Sequence, residues 1–169
     1  RRAAGAEAAR AAALLHLQRS ALESAANAIV ITDREGRITW VNPAFTRLTG
    51  YPPEEAIGEN MRLLKSGRHD QAFYRELWET ILAGQAWQGE IINRRKDGSL
   101  YTSEQRISPV RDQRGDISHF VTIQQDISER KRLEETLARR MRELEALHRI
   151  GAAVSSPLLL DEILEQALD

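Results

Sequence analysis

Apolar residues recur at helical spacing at both ends of this chain and alternate with polar ones in its middle, and the changes of spacing mark its parts. Residues 1–24, "RRAAGAEAARAAALLHLQRSALES", are rich in Ala, Arg and Leu and contain no proline; Leu15 and Leu22 lie a heptad apart, with Leu14, Leu17 and Ala21 at helical intervals. This composition predicts a helix with a partner-facing stripe. From residue 25 the runs "AIVITD" and "RITWVN", separated around Arg34-Glu35-Gly36, predict a first hairpin. "PAFTRLTGYPPEEAIGENMRLLKSG" is dense in Gly and Pro and predicts short helices and turns. "DQAFYRELWETILAG" carries Phe73, Leu77, Trp78 and Ile81 at helical spacing, with Gly84 as its stop, so one regular helix is expected. Three strands follow at 87–95, 99–110 and 116–125, joined at Asp97-Gly98 and at Asp112-Gln113-Arg114-Gly115. The order is ββ, short helices, one longer helix, βββ. It predicts an α+β single domain over residues 25–126, an antiparallel sheet with helices packed on one face.

Helical spacing returns at 127–150. Asp126 with Glu129 reads as a capping box, Asp126 being the N-cap. The stripe Leu133, Leu137, Leu144 and Leu147 fits two heptad registers, one seating Arg140 in the seam and the other Met141 and His148. This reads first as a weak coiled coil with an untidy seam and second as a near-degeneracy that lets a small rotation exchange the registers and carry a signal. Residues 151–169, "GAAVSSPLLLDEILEQALD", are expected to open with a break and then enter a further domain through an amphipathic helix bearing Leu159, Leu160, Ile163, Leu164 and Leu168.

The predicted hairpin at Asp97-Gly98 poses a chemical question. Alternation puts Trp87, Gly89, Ile91 and Asn93 on one face, with Tyr101, Ser103 and Gln105 across the turn. If that face is the core, amides and hydroxyls are buried and each requires a partner, at about 1–3 kcal/mol if left without one.

Composition narrows the classes. With 169 residues, 41% hydrophobic, the chain has enough apolar material for one core with appendages. A net charge of −1 gives no global attraction to nucleic acid or anionic lipid. The runs Arg94-Arg95-Lys96 and Arg130-Lys131-Arg132 are short and flanked by acids, so no nucleic-acid partner is expected. Zero cysteines exclude disulfides, thiolate metal sites and thiol chemistry, and agree with a reducing, cytoplasmic setting. No apolar run approaches the ~20 residues of a membrane helix. The absence of an initial Met and the helical pattern at the end mark an expected fragment of a longer protein. No phosphate loop, dinucleotide fingerprint or metal-spaced His/carboxylate set is present. His148 in "ALHRIGAAV" lacks the acid expected directly after a phosphoacceptor histidine, and Asp33, Glu35, Asp97 and Asp112 sit at turns, where carboxylates bond backbone. No catalytic activity is expected of this segment.

"VNPAFTRLTGY", "IGENMRLLKSG", "ELWETILAGQAWQGEIINRRKDGS" and "ISPVRDQRGDISHFVTIQQDISERK", in this order and spacing, resemble a PAS (S-box) sensor domain across roughly residues 20–131. The resemblance implies a five-stranded antiparallel sheet whose concave face and helices enclose a ligand or signal pocket. It also implies flanking helices that join protomers in parallel, hence a homodimer. It places Asn93, Ser103, Gln105 and Gln124 at pocket-facing positions. "DISERK" matches the junction where the last strand becomes the signalling helix, implying an ion pair between Asp126 and Arg130. "RIGAAVSSPLLLDEILEQAL" resembles, less specifically, the start of a GAF domain, with output of histidine kinase or diguanylate cyclase type further along.

Three ligand classes compete for such a pocket. "GENMRLLKSG" resembles the flavin-contacting stretch of light-oxygen-voltage domains, with Asn60 and Arg62 matching, and Asn93 and Gln124 match on the strands. There Met61 stands at the photoactive cysteine's position, Lys65 replaces the usual Gln and Ser103 the second Asn; without a thiol, adduct photochemistry is impossible. The flavin-dependent redox sensor of nitrogen-fixation control shares "NRRKD", Trp78 and the flavin contact at Asn93, while its pocket Glu and Ser fall at Met61 and Val30. Trp78 reads first as core and second as a flavin wall. Haem is a weaker candidate resting on His69, which beside Arg68 and Asp70 reads first as a solvated or capping residue. The third class is a small metabolite or no ligand, with the domain serving dimerisation and relay. The expectation is a sensory module whose cofactor stays open among these.

Overall fold

The computed structural model describes residues 2–154, and these fall into two units, one up to residue 128 and the other from residue 129. The first holds α1 (Arg2–Ser24), β1 (Ala28–Asp33), β2 (Ile38–Val41), α2 (Pro43–Thr49), α3 (Pro53–Ala56), a 3-10 turn (Met61–Leu64), α4 (Gln71–Leu82), β3 (Trp87–Arg94), β4 (Leu100–Arg111) and β5 (Ile117–Asp126). The strands form one antiparallel sheet in the order β2-β1-β5-β4-β3, so β1 and β5, distant in sequence, pair at its centre. This is the five-stranded sheet with helices that the sequence predicts.

Local chemistry accounts for the element ends. Asn42 accepts the Phe45 N–H and precedes Pro43, whose missing N–H costs a helix start nothing; Gly50 closes α2 at φ 80°. Asp70 caps α4 by accepting from Phe73 N–H at 2.8 Å. The turn carboxylates behave as expected at three of the four positions: Asp33 accepts from Glu35 and Arg37, Asp97 from Ser99, and Asp112 from Arg114 and Asp116. The bonds from Ser99 hold the Asp97 carboxyl below its ordinary range.

Packing falls into two apolar clusters. One gathers Ala28, Val30, Ile38, Val41, Phe45, Ala56 and Leu64; the other joins Leu77 and Ile81 of α4 to Trp87, Ile91, Ile107, Ile117 and Phe120 of the sheet. Neither includes the buried polar set on the same sheet face, Asn93, Ser103, Gln105, Thr122 and Gln124. The core is divided, and its polar part defines the site.

The second unit is described by itself. Helix α5 (Ser128–Val154) starts at the last residue of the first unit and exposes Leu133, Leu137, Met141, Leu144, Leu147 and Ile150. It continues through Gly151 to Val154, where the sequence predicts a break; one glycine costs a helix only ~1 kcal/mol, and three further residues stay helical after it. The proposed GAF-like start otherwise falls on 155–169, outside the described residues.

Candidate functional site

Register answers the question posed by the hairpin. Asn93 lies opposite Tyr101, Ile91 opposite Ser103 and Gly89 opposite Gln105, while Gln105 also faces Gln124 of β5. The period-2 alternation therefore turns all five polar side chains inward, where Asn93 retains 5% exposure and Ser103 and Gln124 none. Gln105 Nε2 donates to Ser103 Oγ at 2.8 Å, and Ser103 Oγ to the Ile91 carbonyl at 3.3 Å. Tyr101 donates a long bond of 3.4 Å to Gln124 Oε1. Burial pushes the Tyr101 phenol well above its ordinary range, against the opposing pull of its hydrogen bond with Asn93. Asn93 is thus partnered by Tyr101, a residue the sequence placed on the right face without giving it a role.

A cavity of about 530 Å³ opens beside this network, within the ~300–1,000 Å³ usual for small-molecule sites. Its wall is apolar along α4 and the sheet (Leu77, Trp78, Ile81, Ile107, Phe120) and polar at Asn93, Gln105, Thr32 and Thr122. Three cations, Arg34, Arg62 and Lys65, line it against one carboxylate, Glu35. Trp78 meets Phe120 edge-on with ring centroids 6.0 Å apart. Its ring would touch any Cβ at Gly36 at 3.1 Å, and Gly36 also has φ +79°, so a glycine is required there. Lys65 Nζ lies 4.3 Å over the Tyr74 ring, and the Tyr74 hydroxyl is buried with no partner in the described residues. Burial raises the Tyr74 phenol above its ordinary range.

Of the residues singled out from sequence, Asn60, Arg62, Trp78, Asn93 and Gln105 line the cavity. Ser103 and Gln124 do not; they lie in the adjoining network, and Gln124 Nε2 is an orphan there. Asn60 is committed locally: Nδ2 donates to the Glu35 carbonyl at 2.7 Å, and Oδ1 accepts from Arg62 N–H and Nε. It sets the cavity edge and orients Arg62.

The junction differs from the expected capping box and Asp126–Arg130 pair. Asp126 sits before the helix start and accepts from Ser128 N–H at 2.9 Å through Oδ1. Its Oδ2 takes Arg95 Nη2 at 2.7 Å, while Arg130 Nε has Glu134 at 3.9 Å, one turn along its own helix. Arg95 is the stronger partner because its planar fork is already held: Nε donates to the Leu48 carbonyl, and the guanidinium lies 4.6 Å over the Tyr101 ring. The run Arg94-Arg95-Lys96, short and flanked by acids, gives no sign of this role in the sequence. His69 also departs from the solvated or capping reading: half-buried, it stacks on Phe73 and its Nε2 accepts from Ile92 N–H at 2.9 Å.

No group of three or more His, Cys, Asp or Glu suited to a metal ion occurs among the described residues, and none of their helices is long and apolar enough to cross a membrane.

Comparison with known proteins places this geometry. The PAS fold family matches residues 17–127. The chain is 41% identical over 134 residues to a nitrogen fixation regulatory protein of Klebsiella pneumoniae, covering 79% of this chain and 27% of that protein. It is 34% identical over 113 residues to a blue-light-activated histidine kinase of Brucella canis, covering 65% and 23%. The chain thus spans about a quarter of the length of these curated relatives. Among solved structures, an RNA-binding light-oxygen-voltage receptor superposes with a TM-score of 0.69 at 32% identity, covering 82% of this chain and 39% of that one. The chain belongs to the PAS family, the sensory and non-catalytic modules of signalling proteins.

Proposed function

We propose that residues 25–126 sense a small ligand or redox state in the cavity, that a flavin nucleotide is the ligand class it suits best, and that the state is relayed to α5 within a cytoplasmic homodimer. One observation carries this reading: a cavity with an aromatic and aliphatic wall, two amide side chains facing it, an orphan Tyr74 hydroxyl and a cationic rim. A flat heteroaromatic body with donors and acceptors on one edge and an anionic tail matches each feature. Asn93 and Gln105 would hold the polar edge, Trp78 a face, and Arg34, Arg62 and Lys65 the phosphate. When bound, a flavin supplies reversible redox chemistry and visible absorption. Cysteine-adduct photochemistry has no residue to perform it.

The chain's own groups then form the relay. Asn93 touches Tyr101, the Tyr101 ring carries Arg95, and Arg95 holds Asp126 beside the first turn of α5. Ile127 N–H donates to the Thr102 carbonyl, and Thr102 N–H donates to Ser128 Oγ, so the junction is fastened to β4, the strand that bears Tyr101. A ligand shifts this equilibrium only by binding one arrangement better than another. Output from a further domain, of histidine kinase or diguanylate cyclase type, lies beyond this segment, with a GAF-like domain between.

The test is a titration of the purified protein with FMN and FAD, followed by quenching of flavin fluorescence. Saturable micromolar binding is expected, weakened about tenfold or more by Asn93→Leu, with a stability loss of no more than about 1 kcal/mol from the lost Tyr101 bond. No quenching with either nucleotide would remove the flavin reading and leave a ligand-free dimerisation and relay spacer as the standing alternative.

A further inference from the structure

Residues 58–69 cross from one edge of the sheet to the other and supply Asn60, Met61, Arg62, Leu64 and Lys65 to the cavity wall. The two ends of this strap are fastened by different chemistry. At β2 and the turn before it, Ile38 N–H donates to the Glu59 carbonyl, Gly58 N–H to the Ile38 carbonyl and Met61 N–H to the Gly36 carbonyl, all at 2.8–2.9 Å. The side-chain bond at this end comes from the neutral Asn60 amide, which donates to the Glu35 carbonyl. At β3, a bridge pairs Lys65 with Asn93, Ser66 Oγ donates to the Ile92 carbonyl, and Ile92 N–H donates to His69 Nε2. Both outward-facing backbone groups of Ile92 are therefore held by side chains of the strap. The adjacent residue, Asn93, faces the cavity.

An imidazole accepts a hydrogen bond only when neutral; once protonated, both ring nitrogens are donors. Acidification therefore removes the acceptor from Ile92 N–H and sets two N–H groups against each other, while the β2 fastening contains nothing that titrates.

We propose that His69 is the positioning residue of a proton-weakened clasp: neutral, it supplies the titratable one of the ties that hold the strap to β3 beside Asn93; protonated, it loses that tie, so the strap is held there by the Lys65–Asn93 bridge and Ser66 and the cavity opens more readily. The sign is fixed by the bond: tighter at higher pH, looser as pH falls. Other charged or titratable groups face the clasp. Arg68 and Asp70 flank His69, Asp70 already accepting from Phe73 N–H. From α4, Tyr74 meets the imidazole edge-on with Lys65 over its ring, and Glu90 and Arg94 lie two residues either side of Ile92 on β3. His69→Gln separates His69 from all of them, because its amide oxygen keeps an acceptor and loses the titration.

The consequence for binding rests on the flavin reading above; the clasp itself does not, and the experiment has one arm for each. Backbone amide exchange of Ile92, expressed as a protection factor to remove the intrinsic pH dependence of exchange, is measured on the full chain by NMR between about pH 8 and pH 5. Protection is expected to fall about three- to tenfold on acidification in the wild type, as for loss of one net hydrogen bond, and to stay level in His69→Gln. FMN release by rapid dilution is expected to accelerate by the same factor in the wild type alone. Level Ile92 protection in the wild type, or an equal fall in His69→Gln, overturns the clasp. A pH-dependent clasp with pH-independent FMN release overturns the gate. If FMN does not bind, the Ile92 arm still decides the clasp, and the flavin reading alone is lost.

Discussion

At the scale of single residues, burial makes two side chains far more consequential than their composition classes suggest. Asn42 is fully buried and uses all of its amide: Oδ1 accepts from Ile29 and Phe45 N–H, and Nδ2 donates to the Leu22 and Asn27 carbonyls, joining the end of α1, β1 and α2. Asn42→Ala orphans several of these groups together, and a loss of roughly 3–5 kcal/mol is expected in a urea melt. Tyr101 is the second. Its folded-state pKa is raised above the unfolded value, so its contribution to stability is intact below about pH 10 and is lost as pH rises above it, where the unfolded chain sheds the phenolic proton first. Tyr101→Phe is expected to cost about 1 kcal/mol at neutral pH through loss of the bonds to Gln124 and Asn93, and to flatten this alkaline decline. Thermal melts at neutral and alkaline pH check both effects. That Asn93, Tyr101, Ser103 and Gln105 share one face was legible because an Asp-Gly turn fixes hairpin register and register fixes face; that this face turns inward followed only from the resemblance to PAS domains. The part played by Asn42 was not: Asn before Pro signals a helix start, and nothing local signals Leu22 or Asn27 as partners.

At the scale of elements, order and approximate ends followed from spacing and turn chemistry, as in β3, expected at 87–95 and found at Trp87–Arg94. What spacing does not encode is which segment covers an edge. The pairing of residues 58–61 with β2 and 65–69 with β3 depends on a crossing of the sheet, and no periodic signal marks it. The same limit hid Arg95, whose partners come from α2, β4 and β5. The relay is argued at this scale because it links a strand end to a helix start. Asp126→Ala removes the Arg95 pair and the bond to Ser128 N–H, both near the surface, so the stability loss is expected to stay near 1 kcal/mol. In the full-length protein the output is nevertheless expected to become insensitive to ligand. Arg95→Lys, which keeps the charge but loses the fork to Leu48, is expected to give the same uncoupling. Normal signalling in either variant, measured as ligand-dependent output, sinks this route.

At the scale of the whole molecule, the unexplained quantity is exposed hydrocarbon. α1 exposes Leu14, Leu15, Leu17 and Leu22, and α5 exposes six large apolar side chains spread over five turns. Burying one such side chain is worth about 1.5–3 kcal/mol, and this is the driving force on which the proposed homodimer rests. On α5 two seams compete: 133, 137, 140, 144 and 147 include Arg140, and 137, 141, 144 and 148 include His148. Each register carries one polar residue where a coiled coil favours an apolar one, and the proposed relay requires the two to lie close enough in energy for a small input to select between them. Leu137→Lys with Leu144→Lys damages both seams and is expected to yield monomers in sedimentation while the melt of residues 25–126 is retained. Arg140→Leu favours the first seam and His148→Leu the second. In the full-length dimer the two substitutions are expected to lock output at opposite ends of its range, each raising stability and each abolishing the response. Identical output from both would mean that register does not carry the signal.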